Sequence, residues 1–366
     1  MRMNAVKSGA LTIVTVLALL LSTSTRAQTP AGQELPLVWV LSTGGTISGQ
    51  GATSTSLAEY KPGALLGEQL VAGVPEIKKV ASVKVEQIVN VSSTDITIAN
   101  WLTIANRINA IFKDDPKVAG VVVTHGTNTL EETAYFLNLT VKSDRPVVLV
   151  GSMRPASAIS ADGPLNLLNA IRTAVSPGAR GKGVLAVLND EINGARDVTK
   201  TNTYRVETFQ APELGLLGYV DADKVTFYRS STKRHTLHSE FDVTQLKELP
   251  KVDIVYSYIQ PSLAMARALV ADGVRGIVFA GTGAGLLSTA EREALTPFLA
   301  GAADTRPVLV RSNRTGNGRV IAREEYDKLG MIPADTLNPQ KARILLMLAL
   351  TKTHELSEIR RMFDEY

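Results

Sequence analysis

Short apolar runs rich in β-branched residues recur along this chain, each followed by residues whose apolar positions return at helical spacing. Residues 37–41, 80–89, 121–123, 146–150 and 183–188 read as strands. Between them Ile98, Leu102 and Ile108 mark one helix, and Glu131 and Glu132 sit in the first turn of another. A third helix starts near Asp162-Gly163-Pro164, with Leu165, Leu168 and Ile171 expected on its buried face. Residues 189–245 break this rhythm: they are polar, and their last part, around Ser230-Ser231-Thr232-Lys233-Arg234-His235, reads as a connector. Strands return at 252–259, 276–280 and 307–310, with helices near Ala264, from Ser288 and from Asn338. Ser288 with Glu291 forms a capping box, and Asn338 caps a helix whose first residue is Pro339. Strands alternating with helices at this spacing predict a two-domain α/β protein: a larger N-terminal doubly wound, mostly parallel sheet and a smaller C-terminal α/β domain. The expected division is a leader over residues 1–27, then 28–240 and 241–366.

The strand ends carry the chemistry. The run at 121–123 stops at Thr124-His125-Gly126-Thr127-Asn128-Thr129, and the run at 37–41 stops at Ser42-Thr43-Gly44-Gly45-Thr46-Ile47. In an open α/β sheet such junctions lie at the carboxyl edge, where ligands bind, and a helix N-terminus there favours polar or anionic groups. Both runs end in Thr-x-Gly-Thr, which predicts two candidate threonine nucleophiles facing one pocket. Ser93, Thr94 and Asp95 stand at a third strand end. The Gly/Ser/Thr-rich stretch 48–56 reads as a long loop, a lid that brings Tyr60 inward.

Charge and composition narrow the classes. Arg2 and Lys7 precede an apolar run at 10–21, and small residues surround a cut after Ala27, so residues 1–27 read as a cleaved signal peptide directing export to the periplasm. Of 39 basic residues three (Arg2, Lys7, Arg26) fall in that leader, leaving 36 against 35 acidic ones. The mature chain is thus near neutral, which argues against nucleic acid as a partner, and no later segment is a better membrane span. There is no cysteine, hence no disulfide or thiolate metal site in an exported chain of this size.

The remaining motifs divide into bland and suggestive. Gly281-Thr282-Gly283-Ala284-Gly285 departs from the dinucleotide fingerprint by one position, and a tight turn is its default reading. The four histidines (His125, His235, His238, His354) lack metal-ligand spacing, and no G-x-S-x-G elbow exists. No cofactor and no metal are expected. A threonine nucleophile needs a base, and Lys200, in Asp197-Val198-Thr199-Lys200-Thr201-Asn202, is the natural candidate because burial lowers a lysine's pKa.

Several of these motifs, in this order, resemble the bacterial type II (periplasmic) L-asparaginases of the asparaginase/glutaminase family. They are Thr43-Gly44-Gly45-Thr46-Ile47; His125-Gly126-Thr127 with Glu131-Glu132-Thr133-Ala134; Gly151-Ser152-Met153-Arg154-Pro155 with Ser160-Ala161-Asp162-Gly163-Pro164; the segment around Lys200; and Leu337-Asn338-Pro339-Gln340-Lys341-Ala342-Arg343. The resemblance runs from about residue 36 to the C-terminus. It implies a homotetramer with active sites between paired subunits, and cofactor-free hydrolysis of L-asparagine to L-aspartate and ammonia through an acyl-enzyme. By position it makes Thr46 the nucleophile, Tyr60 its activating partner, and Thr127 with Lys200 a second pair that helps activate the nucleophile or the deacylating water. It assigns Ser93 to the substrate α-carboxylate, with Thr94, Asn128, Gly45 and Gly126 also at the substrate.

Three positions depart from that pattern. Asn128 stands where the family has an acid for the substrate ammonium; it supplies no charge and favours neutral Lys200. Thr94 replaces a usual glutamine. The glutamate donated by a neighbouring subunit falls near Arg323, with Glu324 and Glu325 adjacent, and the donated asparagine falls near Gln260. These changes bear on the choice between asparagine and glutamine, so a broad glutaminase-asparaginase is the alternative enzyme. An exported amino-acid-binding protein with little turnover is the alternative from another class.

Overall fold

The computed structural model describes residues 34–299 and 306–366. The leader expected over residues 1–27 lies outside the described residues.

The apolar runs form strands because both faces of the sheet are covered. In Val118–Thr124, Val121 and Val123 pack into one core and Val122 into another, as the two-residue period of a strand requires. Five strands run parallel, in the order Ser82–Val91, Leu37–Gly44, Val118–Thr124, Val147–Val150, Val184–Leu188. The chain passes from Leu37–Gly44 to a neighbour on one side and then to a neighbour on the other. This reversal creates a switch point at the carboxyl ends of Leu37–Gly44 and Val118–Thr124, the place where open α/β sheets bind ligands.

Two expectations need correction. The polar stretch at 189–245, in which no strand was expected, holds several: Glu191–Gly194, Gly218–Val220 and Val225–Phe227 extend the sheet antiparallel to eight strands. Each is only three or four residues long, too short for a readable period, and its backbone is satisfied by neighbours rather than by a pattern of its own. In the helix Gly163–Val175, Leu165 is 53% exposed. The face that packs on the sheet is Leu167, Ala170, Ile171 and Ala174, with Leu168 only partly covered.

The helix Leu130–Thr140 is buried almost all round, because it lies between the large sheet and the helix Pro339–Ala349. That second helix covers a four-stranded parallel sheet, Val252–Tyr256, Gly276–Gly281, Val308–Asn313 and Ile332–Pro333. Its N-cap is as read: the Asn338 side chain accepts from the Lys341 N–H, and Pro339 opens the helix. The Ser288–Glu291 capping box forms as well. Residues 281–285 make a tight turn closed by a bridge between Thr282 and Leu286. Among the described residues no helix is long and apolar enough to cross a membrane.

Candidate active site

In each Thr-x-Gly-Thr motif the first threonine is structural and the second is presented. Thr43 Oγ1 donates to the Thr124 carbonyl at 2.8 Å, and Thr124 Oγ1 donates to Ser42 Oγ at 3.1 Å, so the two strand ends are tied together. Gly45 then turns the chain with φ 83°, a left-handed conformation that disfavours a side chain, and delivers Thr46 into a short 3-10 turn. Thr46 Oγ1 lies 2.8 Å from Tyr60 Oη. Tyr60 comes from the strand Tyr60–Lys61, which pairs with Gln50–Gly51, so the loop expected to bring it inward is a β-hairpin. Gly49 makes room for the ring: a Cβ there would fall 2.7 Å from Tyr60 Cδ2. The hairpin is clipped to the 156–159 segment by Ala156 N–H to the Gly49 carbonyl (2.8 Å) and Gly51 N–H to Ser157 Oγ (2.8 Å).

The second pair lies across the same opening. Lys200 Nζ donates to Thr127 Oγ1 at 2.9 Å and to Asn128 Oδ1 at 3.3 Å. Lys200 is half-buried, and burial lowers its pKa from the ordinary lysine value. Ser93 Oγ accepts the Asn128 N–H at 3.1 Å, and Thr129 Oγ1 donates to the Ser93 carbonyl at 2.7 Å, so the third strand end is fastened to the Thr127 turn.

These elements enclose a cavity of about 600 Å³ lined by Thr46, Tyr60, Thr127, Asn128, Met153 and Lys200, with the 201–204 segment and Leu57–Ala58 at its edge. Among the described residues no carboxylate lines it, and Lys200 is its one cation. Gly45, Gly126 and Ser93 are not among the residues that line it; they pack against one another, Gly45 and Gly126 directly preceding the lining threonines in the chain, and a Cβ on Gly126 would come within 2.7 Å of Ser93 Oγ. Thr94 does not line it: exposed, it donates to Ser92 Oγ at 2.9 Å. Met153, named above only within a family motif, carries no site role there, although Gly151-Ser152-Met153 follows a strand end just as the threonine turns do.

His125, between the two threonines of its motif, is not a base for this cavity. It is fully buried, with Nδ1 2.7 Å from the Gly126 carbonyl and Nε2 2.9 Å from Thr133 Oγ1, and burial holds it down to about 4. No cluster able to hold a metal ion occurs among the described residues.

Comparison with known proteins fits this geometry. Residues 37–233 match the family described as Asparaginase, N-terminal, and residues 251–363 match the Glutaminase/Asparaginase C-terminal domain. The chain belongs to the asparaginase family. Among relatives of this asparaginase-family hydrolase, L-asparaginase 2 of Bacillus subtilis (strain 168) is 51% identical over 335 residues, covering 91% of this chain and 88% of the relative. Glutaminase-asparaginase of Pseudomonas fluorescens biotype A is 45% identical over 336 residues, covering 91% of each. A solved structure, the probable cytoplasmic L-asparaginase from Campylobacter jejuni, superimposes with a TM-score of 0.87 at 44% identity and covers 91% of this chain and 100% of that one. The asparaginase fold, a large mostly parallel sheet followed by a smaller α/β unit, is thus shared over nearly the whole described chain.

Proposed function

We propose that this chain hydrolyses L-asparagine to L-aspartate and ammonia, with Thr46 as nucleophile. One observation carries the reading: two hydroxyl pairs, Thr46–Tyr60 and Thr127–Lys200, open on one cavity at the switch point of the sheet. Thr46 Oγ bonds to the side-chain amide carbon while its proton passes to Tyr60 Oη, as the phenol gives its own proton to the amide nitrogen; the C–N bond breaks, ammonia departs and an ester is left on Thr46. Lys200, its pKa lowered by burial, uses Thr127 to activate the nucleophile or the water that cleaves the ester. The substrate α-carboxylate goes to the Ser93 turn. A binding protein needs hydrogen bonds but has no use for a threonine–lysine pair, which supports turnover over capture.

The substrate ammonium finds no carboxylate in this cavity. We assign that role to a neighbouring subunit in a homotetramer, with exposed Glu324 or Glu325 as donor. Relatives named glutaminase-asparaginase make a site that also accepts L-glutamine the second reading. The test is ammonia release by residues 28–366 with L-asparagine and L-glutamine side by side. Asparagine turnover at low substrate is expected; comparable glutamine turnover would make the enzyme a glutaminase-asparaginase, and binding without release would overturn the hydrolase reading.

A further inference from the structure

Lys200 begins an exposed loop, 201–205, and its own strand is two residues long. Such a segment has little of its own to hold a side chain in register. Beside its short ladder to Phe209–Gln210, what holds it is a buried carboxylate. Glu131 is 6% exposed; its Oε1 accepts from Thr199 Oγ1 at 3.0 Å and from the Lys200 N–H at 3.3 Å. Its Oε2 accepts from Asn338 Nδ2 at 3.0 Å and lies 3.8 Å from Lys341 Nζ. Lys341, 1% exposed, also donates to the Arg196 carbonyl at 2.9 Å and to the Val198 carbonyl, gripping the backbone that leads into Lys200.

The position of Glu131 in the chain gives this arrangement its meaning. It stands four residues after Thr127, in the first turn of the helix that the Thr127 turn opens, where a carboxylate is favoured by the helix N-terminus. Thr127 and the Lys200 backbone are therefore referred to one rigid helix. A buried ion pair is a weak way to gain stability, since desolvation consumes most of the attraction; fixing geometry is the use that the contacts themselves indicate. We propose that Glu131 is a positioning residue that sets the Lys200 ammonium on the Thr127 hydroxyl, with Lys341 of the helix Pro339–Ala349 and its N-cap Asn338 holding Glu131 in turn. The proposal rests on the assignment of Lys200 and Thr127 made above.

The test is a double-mutant cycle on the full mature chain, reading kcat and KM for L-asparagine for Glu131→Ala, Lys200→Ala and the double variant. A misplacement of about 1 Å at a reacting group costs up to about a hundredfold. Glu131→Ala is therefore expected to lower kcat by roughly ten- to a hundredfold, with KM moved by less than about threefold. Because Glu131 acts through Lys200, the double variant should be no slower than Lys200→Ala alone. A Glu131→Ala enzyme within about twofold of the parent, or losses that multiply in the double variant, would overturn the positioning role. A near-normal Lys200→Ala enzyme would instead overturn the assignment of Lys200. Should Glu131→Ala fail to fold, Thr199→Val, which removes one donor to Glu131 Oε1, enters the same cycle with the same criteria.

Discussion

Gly45 and Gly126 meet backbone to backbone: a Cβ built on Gly45 would fall 2.3 Å from Gly126 Cα, closer than any real contact. The two threonine turns are spaced by this absence of side chains. Gly45→Ala adds the strain of a left-handed φ to that clash, so we expect a loss of more than about 2 kcal/mol in unfolding free energy. Activity should fall with it, because Thr46 and Thr127 are pushed apart. Urea titration with parallel ammonia assays checks both; a stable, active Gly45→Ala enzyme would show that the turns tolerate wider spacing.

Thr46→Ala should reduce kcat at least about a thousandfold. Among the described residues the hydroxyl bonds to Tyr60 Oη and to no other side chain, so the fold should survive. Thermal melting and kinetics measured together test this, and near-normal turnover would remove Thr46 from the nucleophile's role.

Asn128→Asp puts a charge 3.3 Å from the Lys200 ammonium, at the atom now accepting its hydrogen bond. A nearby anion favours the protonated lysine and raises its pKa, opposing the effect of burial. If neutral Lys200 is the base, activity rises as pH passes upward through its pKa, so the acid limb of the kcat profile should move to higher pH. KM for L-asparagine at neutral pH should fall, because the substrate ammonium gains a partner. An unchanged KM would mean that a neighbouring subunit already supplies the charge.

Buried His125 predicts a pH-dependent stability. Its folded pKa of about 4 lies below the ordinary 6.5, so between those values the unfolded chain binds a proton that the folded chain refuses. The contribution is whole above pH 6.5 and is lost as pH falls toward 4, amounting to about 3 kcal/mol. Urea titrations at pH 7 and pH 4 should show a smaller loss in His125→Gln than in the parent; equal losses would mean that His125 is protonated in the folded state.

Export can be checked directly. The secreted chain is expected to begin at Gln28, which N-terminal sequencing of periplasmic material would read; retention in the cytoplasm with Met1 intact would set the leader assignment aside.

The strands and helices near the site were legible because their signals are local. Val121-Val122-Val123 needs both faces covered whatever covers them, and the Ser288 and Asn338 caps satisfy backbone groups within a few residues. The Thr-x-Gly-Thr repeat and the helix starts behind it told where hydroxyls would stand, since doubly wound sheets present strand ends on one edge. Which hydroxyl faces the cavity was not written there. Thr43 and Thr46 are alike in sequence, and only the Thr43 bond to the Thr124 carbonyl, 81 positions away, makes the first a fastener and leaves the second free.

The sequence alone determined most of the strands and helices, the carboxyl edge that bears the threonine turns and the family motifs, because each depends on contiguous residues. The tertiary structure decided the rest. It extended the sheet through three short antiparallel strands, turned Leu165 and Thr94 to solvent, brought Gly45 against Gly126, and joined Glu131 to Lys200 and Lys341. Contacts of that kind are set by how whole elements pack, so no local period or cap can encode them.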